Sequence, residues 1–305
     1  MNNIKSVGVA TRNSYHDLLI AFVTASSAWA CLFLDTDSSL LLQNFMGVCA
    51  WAVLLFFLLF ETRLVQAQIL VAVAFATAGE YFSSVYMEGY TYRLSNVPAF
   101  VPPGHGLVYL TAVALGRSPL FTQYRSWVLY FAIISGSVWA LWGVLYAPQK
   151  DAYGGLLFLI FLAALYFGRS TMVYLGAYYI TSYLEWVGTL VGTWQWTAID
   201  PIFGLTQGNP PSGVATWYCL VDAIALSCAP LVLKCFNAVS HWSLIKTFAA
   251  WEEKLFEFVC ELIQSLYNLF VPHIPMLLIP ENGIDFERLK SLKRPQQTLY
   301  QQDLK

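Results

Sequence analysis

Three acidic side chains stand inside long apolar runs of this sequence: Glu80, Glu185 and Asp222. Placing such a group in hydrocarbon costs about 2.5–3.5 kcal/mol on insertion scales, so each is a functional candidate by default. A carboxyl group shielded from water tends to keep its proton toward neutral pH and can give or take it during a reaction. Two carboxyls at one depth can divide the acid and base roles. Glu80 lies roughly 25 Å along a helix that opens at Arg63, and Glu185 stands at nearly the same height above Arg169. Asp222 sits further into its run, nearer the midplane. His105, beside a helix start, is a candidate proton shuttle. These four are the candidate catalytic residues.

Arg93 suits an anionic head group. Tyr109, Tyr178 and Tyr218 share helical faces with the acids and are candidate substrate contacts, although Tyr is more often a packing or interface residue. The faces Thr77–Glu80–Ser84–Glu88, His105–Tyr109–Ala112, Tyr174–Tyr178–Thr181–Glu185 and Tyr218–Asp222–Ala225 must all avoid lipid. They are expected to converge on one polar cleft that opens outward. In the competing reading both glutamates bond to Tyr, Trp or Ser and lock the helices.

Other chemistry has no support. The four His show no metal-ligand spacing, and no metal or cofactor is expected. The six Cys form no C-x-x-C pair and read as small buried hydrophobes. There is no G-x-x-x-x-G-K, G-x-S-x-G or D-D-x-x-D. A net charge of −2 offers no basic field for nucleic acid.

The elements that position these residues follow from composition. Apolar residues make up 58% of the 305 and charged residues 11%, against about 25% charged in soluble domains. Mean hydropathy is +0.57. The chain reads as an all-α polytopic membrane protein with about eight transmembrane helices, near 17–34, 40–60, 64–87, 104–116, 127–146, 155–168, 171–193 and 213–233. The first 16 residues are polar, and no cleavable signal peptide is expected. Lys5, Arg12, Arg63, Arg117, Arg125, Arg169, Lys234 and the basic residues of the tail fall on one side. Only Arg93 and Lys150 fall on the other, so both termini are expected in the cytoplasm. The location is a cell membrane, the inner one if the cell is bacterial.

Two halves match in layout. Glu80 and Glu185 are 105 positions apart, Arg63 and Arg169 are 106 apart, and Pro102-Pro103 and Pro210-Pro211 are 108 apart. Repeat units of about 17–120 and 121–236 would be parallel. Each Pro pair is expected to start an outgoing helix, after a long loop that folds back over the bundle. Residues 237–280 carry an amphipathic stripe, for an interfacial helix or one packed beneath the bundle. Residues 281–305 read as a polar cytoplasmic tail.

The stretch EWVGTLVGTWQW, residues 185–196, resembles one in membrane carotenoid hydratases of the bisanhydrobacterioruberin-hydratase kind. They too carry an acid, two spaced glycines and aromatics ahead of a Pro-bearing loop. The resemblance covers about a dozen residues and implies that Glu185 is an acid for alkene hydration. From the residues themselves, the leading expectation is a membrane-embedded enzyme acting on a lipid, isoprenoid or other small lipid-like substrate. A proton-coupled transporter and a structural or assembly subunit are the alternatives.

Overall fold

The computed structural model describes residues 14–239 together with Lys254, Glu257, Phe258 and Glu261. Residues 1–13, most of the amphipathic segment 237–280 and the tail 281–305 lie outside the described residues. Met1–Phe57 with Thr62–Val232 form one compact unit, and Leu58–Glu61 with Leu233–Lys305 form another. The site lies wholly in the first.

The chain is mostly helical. Its elements are α1 (Ser14–Asp35), α2 (Leu40–Leu58), α3 (Arg63–Glu80) running into a π-helical turn (Tyr81–Tyr86), β1 (Tyr90–Tyr92), α4 (Val101–Arg117), short α5 (Pro119–Gln123), α6 (Arg125–Leu145), α7 (Ala152–Phe167), α8 (Thr171–Val191), β2 (Trp194–Trp196) and α9 (Thr216–Val239). Five helical stretches are long and apolar enough to cross a membrane: His16–Asp35, Leu40–Leu58, Arg63–Tyr86, Arg125–Leu145 and Thr216–Phe236. Their outward faces carry large exposed apolar side chains, among them Leu41, Phe22, Trp127 and Ile134. Helix α7 is apolar but shorter.

Helices α4 and α8 make the centre, where they pack on each other and α4 also meets α1 and α3. Every residue of α4 from Gly106 to Ala112 is buried, as are Tyr174–Tyr178 of α8. Helix α4 exposes no residue and α8 exposes only Trp186 and Leu190, so their enclosed stretches can hold Tyr109, Thr111 and Thr181 away from lipid. The axes come close because Gly176 rests on the Ala112 backbone and Gly116 on the Met172 backbone, where any side chain would collide. A core of Phe121, Phe158, Phe161, Tyr174, Leu175 and Tyr178 packs α5, α7 and α8 together.

Two departures from the sequence expectation concern the loops. The loop after α3 and the loop after α8 each contribute a three-residue strand, a small addition to an otherwise all-α fold. The strands pair antiparallel, Tyr90 with Trp196, Thr91 with Gln195 and Tyr92 with Trp194. Pro102 and Pro103 do open α4, but α9 starts only at Thr216, well after Pro210-Pro211. The Asp151 carboxylate explains the delay. It accepts from the amides of Gly154, Gly208 and Ser212 at 2.7–3.0 Å, capping α7 and holding the Pro-Pro segment in a turn.

Candidate functional site

Glu80 is the last residue of α3. Its carboxylate points inward under β1, where Oε1 accepts from the Tyr90 hydroxyl at 2.6 Å and the Tyr92 hydroxyl at 2.8 Å. Strand geometry puts residues two apart on one face, so one strand supplies both donors. Burial, and then the neighbouring Glu80 charge, push both tyrosine pKa values well above 10.0. Both hydroxyls therefore stay protonated donors. The other oxygen, Oε2, lies 3.3 Å from His105 Nε2 in an ion-pair contact whose angle misses a hydrogen bond. Nδ1 of His105 meets the Tyr218 hydroxyl at 2.9 Å. A neutral His105 that accepts from Tyr218 carries its proton on Nε2, facing Glu80.

Glu185 repeats this plan with indoles. Its Oε2 accepts from Trp194 Nε1 and Trp196 Nε1, both at 3.0 Å. Helix α8 ends at Gly192, whose φ of 79° lies in the left-handed region that favours glycine. The chain then turns back along α8. Trp194 lies across Gly188, where any Cβ would overlap its ring. Among the described residues, Glu185 Oε1 accepts no hydrogen bond. With both indoles on Oε2, a protonated Glu185 carries its hydrogen on Oε1.

Glu80, His105, Glu185 and Tyr218 line one cavity of about 640 Å³, as do Tyr90, Tyr92, Trp194 and Trp196. Most of the wall is apolar and comes from α1, α2, α3, α4, α8 and α9. The wall also includes side chains exposed at the outer apolar surface: Phe45 at 63%, Phe82 at 50% and Leu220 at 43%. The cavity thus runs from the carboxylates to the flank of the helix group. Among the described residues no three of His, Cys, Asp and Glu come close enough to hold a metal ion together.

The other four candidates lie elsewhere, so the expected single polar cleft is only partly assembled. Arg93 ties the strand loop to the α1–α2 turn, giving Nη2–H to the Ser38 carbonyl at 2.7 Å and to its hydroxyl at 2.9 Å, with Asp35 at 3.5 Å. Tyr178 bonds to Ser135 at 3.0 Å and stacks on Phe161. Tyr109 gives its hydroxyl proton to Asp222 at 2.8 Å. Neither member of that pair lines the cavity. The pair falls one helical turn beyond His105 and Tyr218 on α4 and α9, on the same faces but displaced along the helix axes.

Sequence reasoning named Tyr and Trp as possible partners of the glutamates in its competing reading but did not place the four donors. A signal was there: Y-x-Y starts ten residues after Glu80, and W-x-W starts nine after Glu185. Both tripeptides fell within loops and were read as loop. Compared with protein-family models, curated proteins and solved structures, the chain matches none. Residues 185–196, which carry the resemblance noted above, form a local unit here. The acid is held by the two tryptophans, one glycine seats a ring, and the other ends the helix.

Proposed function

We propose that this chain is a membrane-embedded enzyme that moves a proton to or from a lipid or isoprenoid substrate. Glu185 is the acid, through Oε1. Glu80 and His105 form the opposing pair, with Glu80 orienting the imidazole and balancing its charge. Tyr90, Tyr92, Trp194 and Trp196 hold the two carboxylates in place. One observation carries the reading: Glu80, Glu185 and the His105 imidazole line one mostly apolar cavity whose wall includes side chains exposed at the outer apolar surface. A locking role alone explains the aromatic donors. It does not explain the cavity or the unpartnered oxygen of Glu185.

In this reading all eight long helices cross the bilayer, with α4 and α8 shielded by the rest. The two halves are parallel units, each giving one glutamate and one strand, and both termini are cytoplasmic. The site then lies toward the outer face. A proton-coupled carrier through Asp222 is less well supported, because Asp222 stands off the cavity.

The test is a lipid comparison between cells with and without the chain, complemented by wild type, Glu80→Gln or Glu185→Gln. Glutamine keeps the shape and still accepts from the aromatic donors, but transfers no proton. Wild type should restore a changed lipid species, and each variant should lose on the order of 100-fold or more in rate, the usual contribution of a positioned acid or base. Full activity in both variants would end the proposal.

A further inference from the structure

The acidic side chains on the cavity wall outnumber the basic ones. Glu80, Glu185 and Asp200 line it together with His105, and among the described residues no Lys or Arg does. A phosphate or carboxylate head group would meet carboxylates there, and the one imidazole already faces Glu80 at 3.3 Å. Arg93 does not supply one, because it is engaged with Ser38 and Asp35. An ammonium fits little better. It brings three donors, while both oxygens of Glu80 already face Tyr90, Tyr92 and His105. Asp200 Oδ1 already takes the amides of Ile202 and Phe203, and Glu185 Oε1 is left for a hydroxyl or a carbon centre under attack.

Two glycines show where the occupant runs. Gly79 of α3 and Gly104 of α4 line the cavity, and a Cβ on either would meet nothing within 4 Å. Glycine weakens a helix relative to alanine, and close approach by a neighbour normally compensates. Gly106, Gly116, Gly176 and Gly188 all have such a neighbour, whereas Gly79 and Gly104 have only cavity. Gly79 is exposed at the mouth and Gly104 half-buried beside His105.

We propose that the cavity holds a long uncharged chain, a lipid alcohol or hydrocarbon without phosphate, carboxylate or ammonium, which passes Gly79 and Gly104 to bring its reacting segment to Glu185 Oε1. This rests on the enzymatic reading for which segment reacts, and on the wall alone for what binds. The experiment is equilibrium binding of tritiated geranylgeraniol, geranylgeranyl phosphate and geranylgeranylamine to the purified full-length chain in detergent. The alcohol should bind saturably, and the phosphate and amine at least tenfold more weakly. Gly79→Leu and Gly104→Leu should each weaken alcohol binding at least tenfold while the thermal midpoint holds or rises. If one fails to fold, the other decides. Phosphate or amine binding as tight as the alcohol overturns the proposal, and so does undiminished alcohol binding in a folded leucine variant. Alcohol binding as expected with full activity in Glu185→Gln would remove the acid/base reading alone. Tight phosphate binding with an inactive Glu185→Gln would remove the uncharged occupant alone.

Discussion

At the scale of single residues, each glutamate is fixed through one oxygen by two aromatic donors, and this sets how much any one donor matters. A neutral hydrogen bond contributes about 1 kcal/mol net. Trp196→Phe should therefore cost roughly that in stability and lower the rate several-fold, because Trp194 still holds Glu185. Trp194→Phe with Trp196→Phe should cost more than the two singles together, since the carboxyl is then free to rotate. Unfolding midpoints and rates for the three variants check this. The tyrosine clamp gives a pH dependence with a definite sign. Tyr90 and Tyr92 have folded pKa values raised above 10.0, so the unfolded chain loses those protons first as pH rises. Their contribution is complete below pH 10 and is lost above it. Stability measured from pH 8 to 11 should fall above 10, and fall less in a Tyr90→Phe, Tyr92→Phe double variant. The acids themselves were legible as lone charges in apolar runs. Their partners were not, because Tyr and Trp near a membrane surface commonly serve as interface anchors.

At the scale of elements, the β1–β2 ladder is what holds both clamps in register. Bonds from Arg93 N–H to Thr193 and from Thr197 N–H to Gly89 flank the Thr91–Gln195 pair, so the Thr91 amide faces Gln195. Proline at 91 removes that donor. Thr91→Pro should lower stability by about 1–3 kcal/mol and abolish the proposed activity, although Thr91 touches neither carboxylate. Gly188→Ala should push Trp194 off Glu185, costing about 1–3 kcal/mol as overpacking does, with a matching drop in rate. Long apolar helices such as α2 and α6 were legible from composition alone. Composition bounds α8 closely, 171–193 against Thr171–Val191, but leaves α4 short, 104–116 against Val101–Arg117, because Pro102-Pro103 and Gly104 interrupt its apolar run. The strands were illegible because three residues leave no periodicity to read, and their pairing joins positions about a hundred residues apart. Asp222 was placed in the cleft by helical spacing. One turn of α9 separates it from Tyr218, and spacing alone does not tell which rung meets the cavity.

At the scale of the whole molecule, the proposed orientation is tested by labelling. In a variant lacking its six cysteines, Lys150→Cys should react with an impermeant maleimide from outside intact cells. Arg63→Cys and Arg169→Cys should react only after the membrane is opened. Reaction of all three from one side would reject the eight-span arrangement. The exposure of the cavity-wall residues Phe45, Phe82 and Leu220 at the apolar surface changes what concentration means in the proposed reading, where substrate enters from the side. A molecule arriving there is drawn from the hydrocarbon, where its abundance is a mole fraction of lipid and not a molarity in water. At fixed total substrate, adding inert lipid or detergent should slow turnover in proportion to the dilution, and adding buffer should leave it unchanged.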